Sequence, residues 1–378
     1  MSGATLIDVL PAHQFDQAKL AKYLQDYLPG ANQGMKVQQF QGGQSNPTFL
    51  LEIGEKRYVL RKKPPGKLLP SAHMIEREYQ VINALGSTDV PVPGVHLLCE
   101  DPEIIGTAFY VMDYVDGRVY SQPQLAEVAQ EERMPIYQSM IQTMGQLHNA
   151  DWKAIGLESY GKPDNYIARQ LKRWGGQFEA SRTDDMPSMH ALMKWLPDNI
   201  PADDSTTIAH GDFRIGNLML HPTESKVVSI LDWELATLGH PLSDLAYCCL
   251  PYHMPVNVDG AKGLVGADLK ALGLPEEQQV LDWYCQHTGR SGVPDWNFYV
   301  AFSLFRLAAI VQGVYHRALQ GNASNADALE VGKRASLLAD RGWEIAQSKY
   351  LGNPLAGHLI RCPALLVPKN RSPTDIPE

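Results

Sequence analysis

His210-Gly211-Asp212-Phe213-Arg214-Ile215-Gly216-Asn217, followed a short way on by Ile230-Leu231-Asp232-Trp233-Glu234, is the stretch on which the reading of this chain turns. Asp212 and Asn217 lie five residues apart, in a loop opened by an apolar pair and a glycine. Asp232 ends the run Val227-Val228-Ser229-Ile230-Leu231, so the pattern puts it at the tip of a strand. Transfer of a phosphoryl group needs such a set: a carboxylate to orient the attacking hydroxyl and accept its proton, and oxygen ligands for magnesium on the phosphates. Taken singly, each residue is equally a turn-former or a strand-end cap. The joint spacing argues for chemistry.

The same segments resemble the aminoglycoside phosphotransferase and choline kinase-like superfamily, whose fold is that of protein kinases. Its pattern HGDxxxxN, with an aspartate after a later hydrophobic strand, is matched at every fixed position. The resemblance implies that Asp212 is the catalytic base and that Asn217 and Asp232 hold Mg²⁺. It also implies ATP or GTP as phosphate donor and a small-molecule alcohol as acceptor. His210 and Gly211 would shape the loop. Gly239-His240-Pro241-Leu242-Ser243-Asp244-Leu245-Ala246 resembles the family's GxPxxDLA element, with Asp244 a helix-start carboxylate satisfying loop donors. Met144-Gly145-Gln146-Leu147-His148 resembles LGxLH, with His148 a packing or hydrogen-bonding residue. Trp233, beside Asp232, is expected to serve core packing.

Upstream, Phe15–Leu28 carries helical spacing, with Asp16 as cap. Lys36–Gln41, Thr48–Ile53 and Lys56–Lys62 read as a meander of three strands. A helix over Ala72–Leu85 follows, then strands at Val95–Cys99 and Ala108–Val115. Helical patterns dominate from Gln124 onward, interrupted by a strand-and-loop section at Ile208–Trp233. The expected fold is therefore α+β and bilobal, with a β-rich N-lobe and a mainly helical C-lobe. Its parts are a nucleotide-binding lobe over 1–113, a catalytic and substrate lobe over 114–367 and a loose tail over 368–378.

Tyr58-Val59-Leu60-Arg61 resembles the strand whose basic residue binds the nucleotide phosphates. Alternation puts Arg61 and Lys63 on one side and Lys62 on the other; Arg61 is favoured, with Lys62 and Lys63 as alternatives. Glu78 resembles the helix glutamate that pairs with this residue, and Glu76 competes with it. Gly42-Gly43-Gln44-Ser45-Asn46 would cover the phosphates with main-chain N–H groups, at Gly43, Ser45 and Asn46, and with the Ser45 hydroxyl. Met112-Asp113-Tyr114-Val115 resembles the hinge whose main chain, at Asp113 and Val115, would bind the nucleobase.

Over 378 residues the formal charge is -9, which argues against a nucleic-acid partner. The five cysteines show no CxxC, as expected of reduced thiols in a cytoplasmic protein. Met1–Leu10 is a poor signal peptide, and no stretch is expected to approach the ~18 apolar residues of a membrane span. No zinc site is expected, and the sequence sets no oligomeric state. For the acceptor, several segments resemble the kinase-like domain fused to certain acyl-CoA dehydrogenases. They include Val59-Leu60-Arg61-Lys62-Lys63-Pro64-Pro65-Gly66 and Gln312-Gly313-Val314-Tyr315-His316-Arg317. That branch implies a hydroxyacyl-CoA. Arg169, Lys172, Arg173, Arg306 and Arg317 would suit an anionic ligand or simply be solvated. An aminoglycoside or other amino-alcohol is the alternative acceptor, and a catalytically inactive nucleotide-binding pseudokinase scaffold is the alternative of another class.

Overall fold

The computed structural model describes residues 5–41, 46–64, 73–255, 263–321, 328–332 and 334–348. The first part is a six-stranded antiparallel sheet. Its strands are Leu6–Ile7 (β1), Met35–Phe40 (β2), Thr48–Ile53 (β3), Lys56–Lys62 (β4), Val95–Cys99 (β5) and Phe109–Asp113 (β6), in the order β1-β2-β3-β4-β6-β5. The period of two decides its faces. Phe49, Leu51, Tyr58 and Leu60 point to one side, where helix Gln17–Leu24 (α1) closes them over with Leu20 and Leu24. Asp16 caps that helix, accepting a 2.9 Å bond from Lys19 N. On the other side lies helix Ile75–Leu85 (α2), whose Glu78, Val81, Ile82 and Leu85 are buried.

In the register of β4 with β6, Arg61 faces Tyr110. Beyond β6 the chain passes to a mainly helical part and is pinned there at once. Arg118 and Leu220 exchange two main-chain bonds of 2.8 Å. A Cβ on Gly117 would stand 2.4 Å from Met219 Cγ, so only glycine allows this approach. The expected bilobal α+β arrangement is what the chain adopts. Strand β1 and the four-residue helix Pro102–Ile105 (α3) are additions, too short to leave a periodic signal.

The helical part comprises Gln130–Asn149 (α4), Tyr166–Ser181 (α5), Pro187–Asp198 (α6), Pro241–Cys248 (α7), Leu269–Leu272 (α8), Glu277–Thr288 (α9), Trp296–Leu319 (α10), Ala328–Gly332 (α11) and Arg334–Gln347 (α12). Two small ribbons sit among them. Thr207–Ala209 (β7) pairs with Thr237–Gly239 (β10), and Leu218–Leu220 (β8) with Val227–Ile230 (β9). Helix α10 corrects the expectation that no stretch approaches a membrane span. It is long and apolar enough by length and composition, but 78% of its apolar window is buried against α5, α7 and α12. Its hydrophobicity serves the interior of the protein.

Where α7 begins, His240 is 1% exposed, stacks on Tyr299 and lies 3.6 Å from Asp203. Burial pushes its pKa down to about 4, against the attraction of Asp203 and Asp204 and with the help of Arg290. The unfolded chain takes up that proton near pH 6.5, so stability is complete above 6.5 and is lost as pH falls toward 4. We expect up to about 3 kcal/mol of loss across this window, read as a falling Tm. A His240→Gln variant should flatten the slope there.

Candidate active site

The loop after β7 is held almost entirely through its main chain. Asp244, in the first turn of α7 and 2% exposed, accepts from His210 N at 2.7 Å and from Gly211 N at 2.9 Å. His148 bridges this carboxylate, at 3.3 Å, and the Tyr284 hydroxyl, at 2.7 Å, so His148 and Asp244 act by hydrogen bonding as expected. Burial alone would raise the Asp244 carboxyl. The His148 contact and the loop donors instead hold it below its usual value. Gly211 has φ +83°, and a Cβ there would stand 2.7 Å from Leu235 O. The residue is glycine for both reasons.

His210 ties this loop to the strand end beyond. Its Nδ1 accepts from Asp212 N at 3.2 Å, and its Nε2 donates to Leu231 O at 2.8 Å, which assigns the ring hydrogen to Nε2. Trp233 is buried against the His210 ring, centroids 5.0 Å apart, and donates to Ile230 O. Its role is packing.

Asn217 donates from Nδ2 to Asp212 Oδ2 at 2.7 Å and to Asp212 O at 2.9 Å. Its own main-chain oxygen accepts from Leu231 N at 2.8 Å, which sets Asn217 beside Asp232. Because the amide nitrogen is committed to Asp212, the side-chain oxygen is the atom left to face a cation. Asp232 follows β9 with φ 64° and ψ 62°, a left-handed conformation that a non-glycine residue holds at a cost. Its side chain is 39% exposed and that of Asp212 is 18% exposed, so both carboxylates open to solvent. Arg214 Nε donates to Asp212 Oδ2 at 3.2 Å.

From the sheet, Arg61 reaches the same place. Its Nη2 lies 3.9 Å from Asp232 Oδ1, and its Nε lies 3.0 Å from Glu78 Oε2. Glu78 is 1% exposed and also accepts from Tyr110 Oη at 3.0 Å and Asn46 Nδ2 at 2.7 Å. Burial disfavours the Arg61 charge, and the Glu78 carboxylate outweighs it, leaving the pKa raised. The competitors are sorted by geometry. Lys63 pairs with Glu76, and Lys62 is buried on the other face, its Nζ 5.6 Å from the Phe15 ring centroid and its pKa lowered by burial. Glu78→Gln keeps the shape but removes the charge that Arg61, Tyr110 and Asn46 address. We expect about 2 kcal/mol of lost stability, measured by urea titration.

Asn46 and Asp113, expected to meet the nucleotide, have several of their polar groups engaged within the protein. Asn46 is 1% exposed and its amide is taken up by Glu78 and His73, so its side chain supports the ion pair and does not open to a phosphate. Asp113 N donates to Gly94 O at 2.8 Å, and its carboxylate binds His96 at 2.7 Å. Val115 is half-buried and, among the described residues, its main chain has no main-chain partner. Gly43 and Ser45 lie outside the described residues. The sequence reading missed Tyr110, which the strand register places opposite Arg61. It also missed Arg77, which reaches from α2 to Ala236 O at 3.3 Å, next to the Asp232 turn.

Among the described residues no group of three or more His, Cys, Asp or Glu side chains could cage a metal. Magnesium does not need one, because it is usually held by one or two carboxylates together with water and substrate phosphates. Asp232 with the Asn217 oxygen fits that habit. A separate cavity of about 350 Å³ lies between α5, α6 and α10, lined by Leu171, Gly175, Met193, Phe305 and other mainly apolar residues, with Lys172 among them.

The model of the phosphotransferase enzyme family matches residues 36–294. Acyl-CoA dehydrogenase family member 10 of Mus musculus is 44% identical over 331 residues, covering 87% of this chain and 31% of that protein. Acyl-CoA dehydrogenase family member 11 of Gallus gallus is 44% identical over 348 residues, covering 90% of this chain and 44% of that protein. The chain thus spans less than half the length of these curated relatives. A candidate aminoglycoside phosphotransferase of Ralstonia eutropha superposes with a TM-score of 0.81 at 46% identity, covering 88% of this chain and 99% of that one. A choline kinase of Cryptosporidium parvum shares the fold at TM-score 0.56 and 14% identity, covering 87% of this chain and 96% of that one.

Proposed function

Because the chain belongs to the phosphotransferase enzyme family, we propose that it moves the γ-phosphate of ATP (or GTP) to a hydroxyl of a small molecule. Residues 1–113 form the nucleotide-binding lobe in this reading and 114–367 the catalytic and substrate lobe. The observation that carries it is the meeting of Asp212, Asn217, Asp232 and the Arg61–Glu78 pair at one solvent-open place.

Asp212 orients the acceptor hydroxyl and takes its proton. Asn217 and Arg214 hold its Oδ2, and the Tyr247 hydroxyl also bonds to this carboxylate, which together fix its orientation toward the acceptor. The acceptor oxygen then bonds to the γ-phosphorus as the bond to the bridging oxygen breaks, and ADP leaves. Arg61, held by Glu78, binds the nucleotide phosphates, with Gly43 and Ser45 covering them. The main chain at Asp113 and Val115 addresses the nucleobase. Asn217 and Asp232 would hold Mg²⁺, which when bound neutralises charge on the phosphates.

For the acceptor we favour a hydroxyacyl-CoA. The relatives named as acyl-CoA dehydrogenase family members support it. So does the apolar cavity with Lys172 in its lining, which suits an acyl chain with an anionic neighbour better than a polycation. The test is ADP release from Mg·ATP against hydroxyacyl-CoAs, amino alcohols, sugars and aminoglycosides. Turnover confined to aminoglycosides would reject the acyl reading, and no release above background with any acceptor would favour a non-catalytic scaffold.

A further inference from the structure

Arg306 lies in the middle of α10, 6% exposed, and among the described residues no ion pair engages it. A buried guanidinium without a counter-ion is costly, so its surroundings must compensate. Two aromatic faces do part of this. The guanidinium carbon is 5.6 Å from the Trp174 ring centroid and 5.1 Å from that of Tyr247. The remaining contact is directional, because Arg306 Nη2 donates to Gly211 O at 2.6 Å. Its Nε is buried with no hydrogen-bond partner, so the side chain is aimed at that one carbonyl and not at a network.

We infer that Arg306 is a positioning residue for the transfer reaction, acting through the Gly211–Asp212 peptide. That peptide is held at both ends. Its oxygen accepts from Arg306, and its N–H, on Asp212, donates to His210 Nδ1 at 3.2 Å. The residue before it is a glycine at φ +83°, the type of residue whose backbone turns most freely. Without the cation the plane can rotate about Gly211, carrying the Asp212 backbone with it. Asn217, which binds both the carbonyl and the carboxylate of Asp212, cannot then meet both. A charge-assisted bond is stronger than a neutral one and suits this task. Misplacement of a reacting group by about 1 Å is enough to cost about a hundredfold in rate.

The inference rests on the phosphotransferase reading. The experiment compares wild type, Arg306→Met, Arg306→Gln and Arg306→Lys, using Mg·ATP with 3-hydroxybutyryl-CoA and with water alone. ADP release is expressed per nucleotide-binding site. Arg306→Met is expected to lower kcat about thirtyfold, with KM for Mg·ATP and for the acceptor essentially unchanged. Arg306→Lys, which keeps a charged donor, should recover most of that loss. A merely structural role would reduce the number of binding sites and leave kcat per site alone. If Arg306→Met does not fold, the neutral donor in Arg306→Gln takes its place against Arg306→Lys. ADP release by the wild type with kcat unchanged in the neutral variants, or with KM raised and kcat unchanged, overturns the positioning role alone. If the wild type releases no ADP with 3-hydroxybutyryl-CoA, the comparison is run with the other hydroxyacyl-CoAs, amino alcohols, sugars and aminoglycosides, and no release with any of them overturns the phosphotransferase reading and this inference together.

Discussion

Replacing Asp212 by alanine is expected to lower ADP formation by about 10²- to 10⁴-fold, with binding of Mg·ATP retained. The reason is the division of labour at the site. In the proposed reading Arg61, paired with Glu78, and the Asp232 carboxylate serve the phosphates, whereas Asp212, which meets Asn217 and Arg214, serves the acceptor hydroxyl. Removing it takes away the proton acceptor and leaves the phosphate ligands in place. Asp212→Asn should behave alike, since an amide cannot accept the hydroxyl proton. Calorimetric titration with Mg·ATP beside a coupled ADP assay gives both quantities. Residual activity equal to the wild type would sink the assigned role.

The second large effect is on stability. Asp244→Ala removes the carboxylate that receives His210 N, Gly211 N and His148. It leaves two buried N–H groups and a buried imidazole without their acceptor. Breaking a buried charged contact in this way costs about 3–5 kcal/mol, to be read from urea unfolding. The loss should also grow with acid in the wild type. The folded Asp244 carboxyl lies below its usual pKa, so its contribution is present at neutral pH and fades as pH falls through the folded value. Asp244→Asn, which keeps one acceptor oxygen, should cost clearly less. An alanine variant as stable as wild type would mean that water or loop rearrangement satisfies these donors.

Much of the architecture was legible because its signals are local. The strands at 48–53 and 56–62 have clear turns between them, and HGDxxxxN carries its own spacing. What stayed hidden depends on distant partners. Glu76 and Glu78 look alike on paper, and only the placement of Arg61 and Tyr110 against α2 buries one and leaves the other to Lys63. Asn46 reads as a loop residue until Glu78, 32 positions later, claims its amide. Asp113 looks open until its N–H meets Gly94 across a bend. Arg306 is 95 positions from the carbonyl it holds, and no periodicity records such a contact. The apolar length of α10 was overlooked for a related reason: it is set by the helices packed all round it, which are distant in sequence.

The crossing from sheet to helices has a mechanical consequence. Arg118 is fastened to β8 by its main chain, and its guanidinium holds His221 O and Glu224 O besides. On the near side, Arg57 grips both Tyr114, ring centroid 4.1 Å away, and Asp116, at 3.6 Å. Residues 114–116 thus run between two fastenings, and further bonds, from Ile230 N to Pro91 O and from Arg77 to Ala236 O, tie the two halves together. A swing of one half against the other has to strain these as well as the short connector.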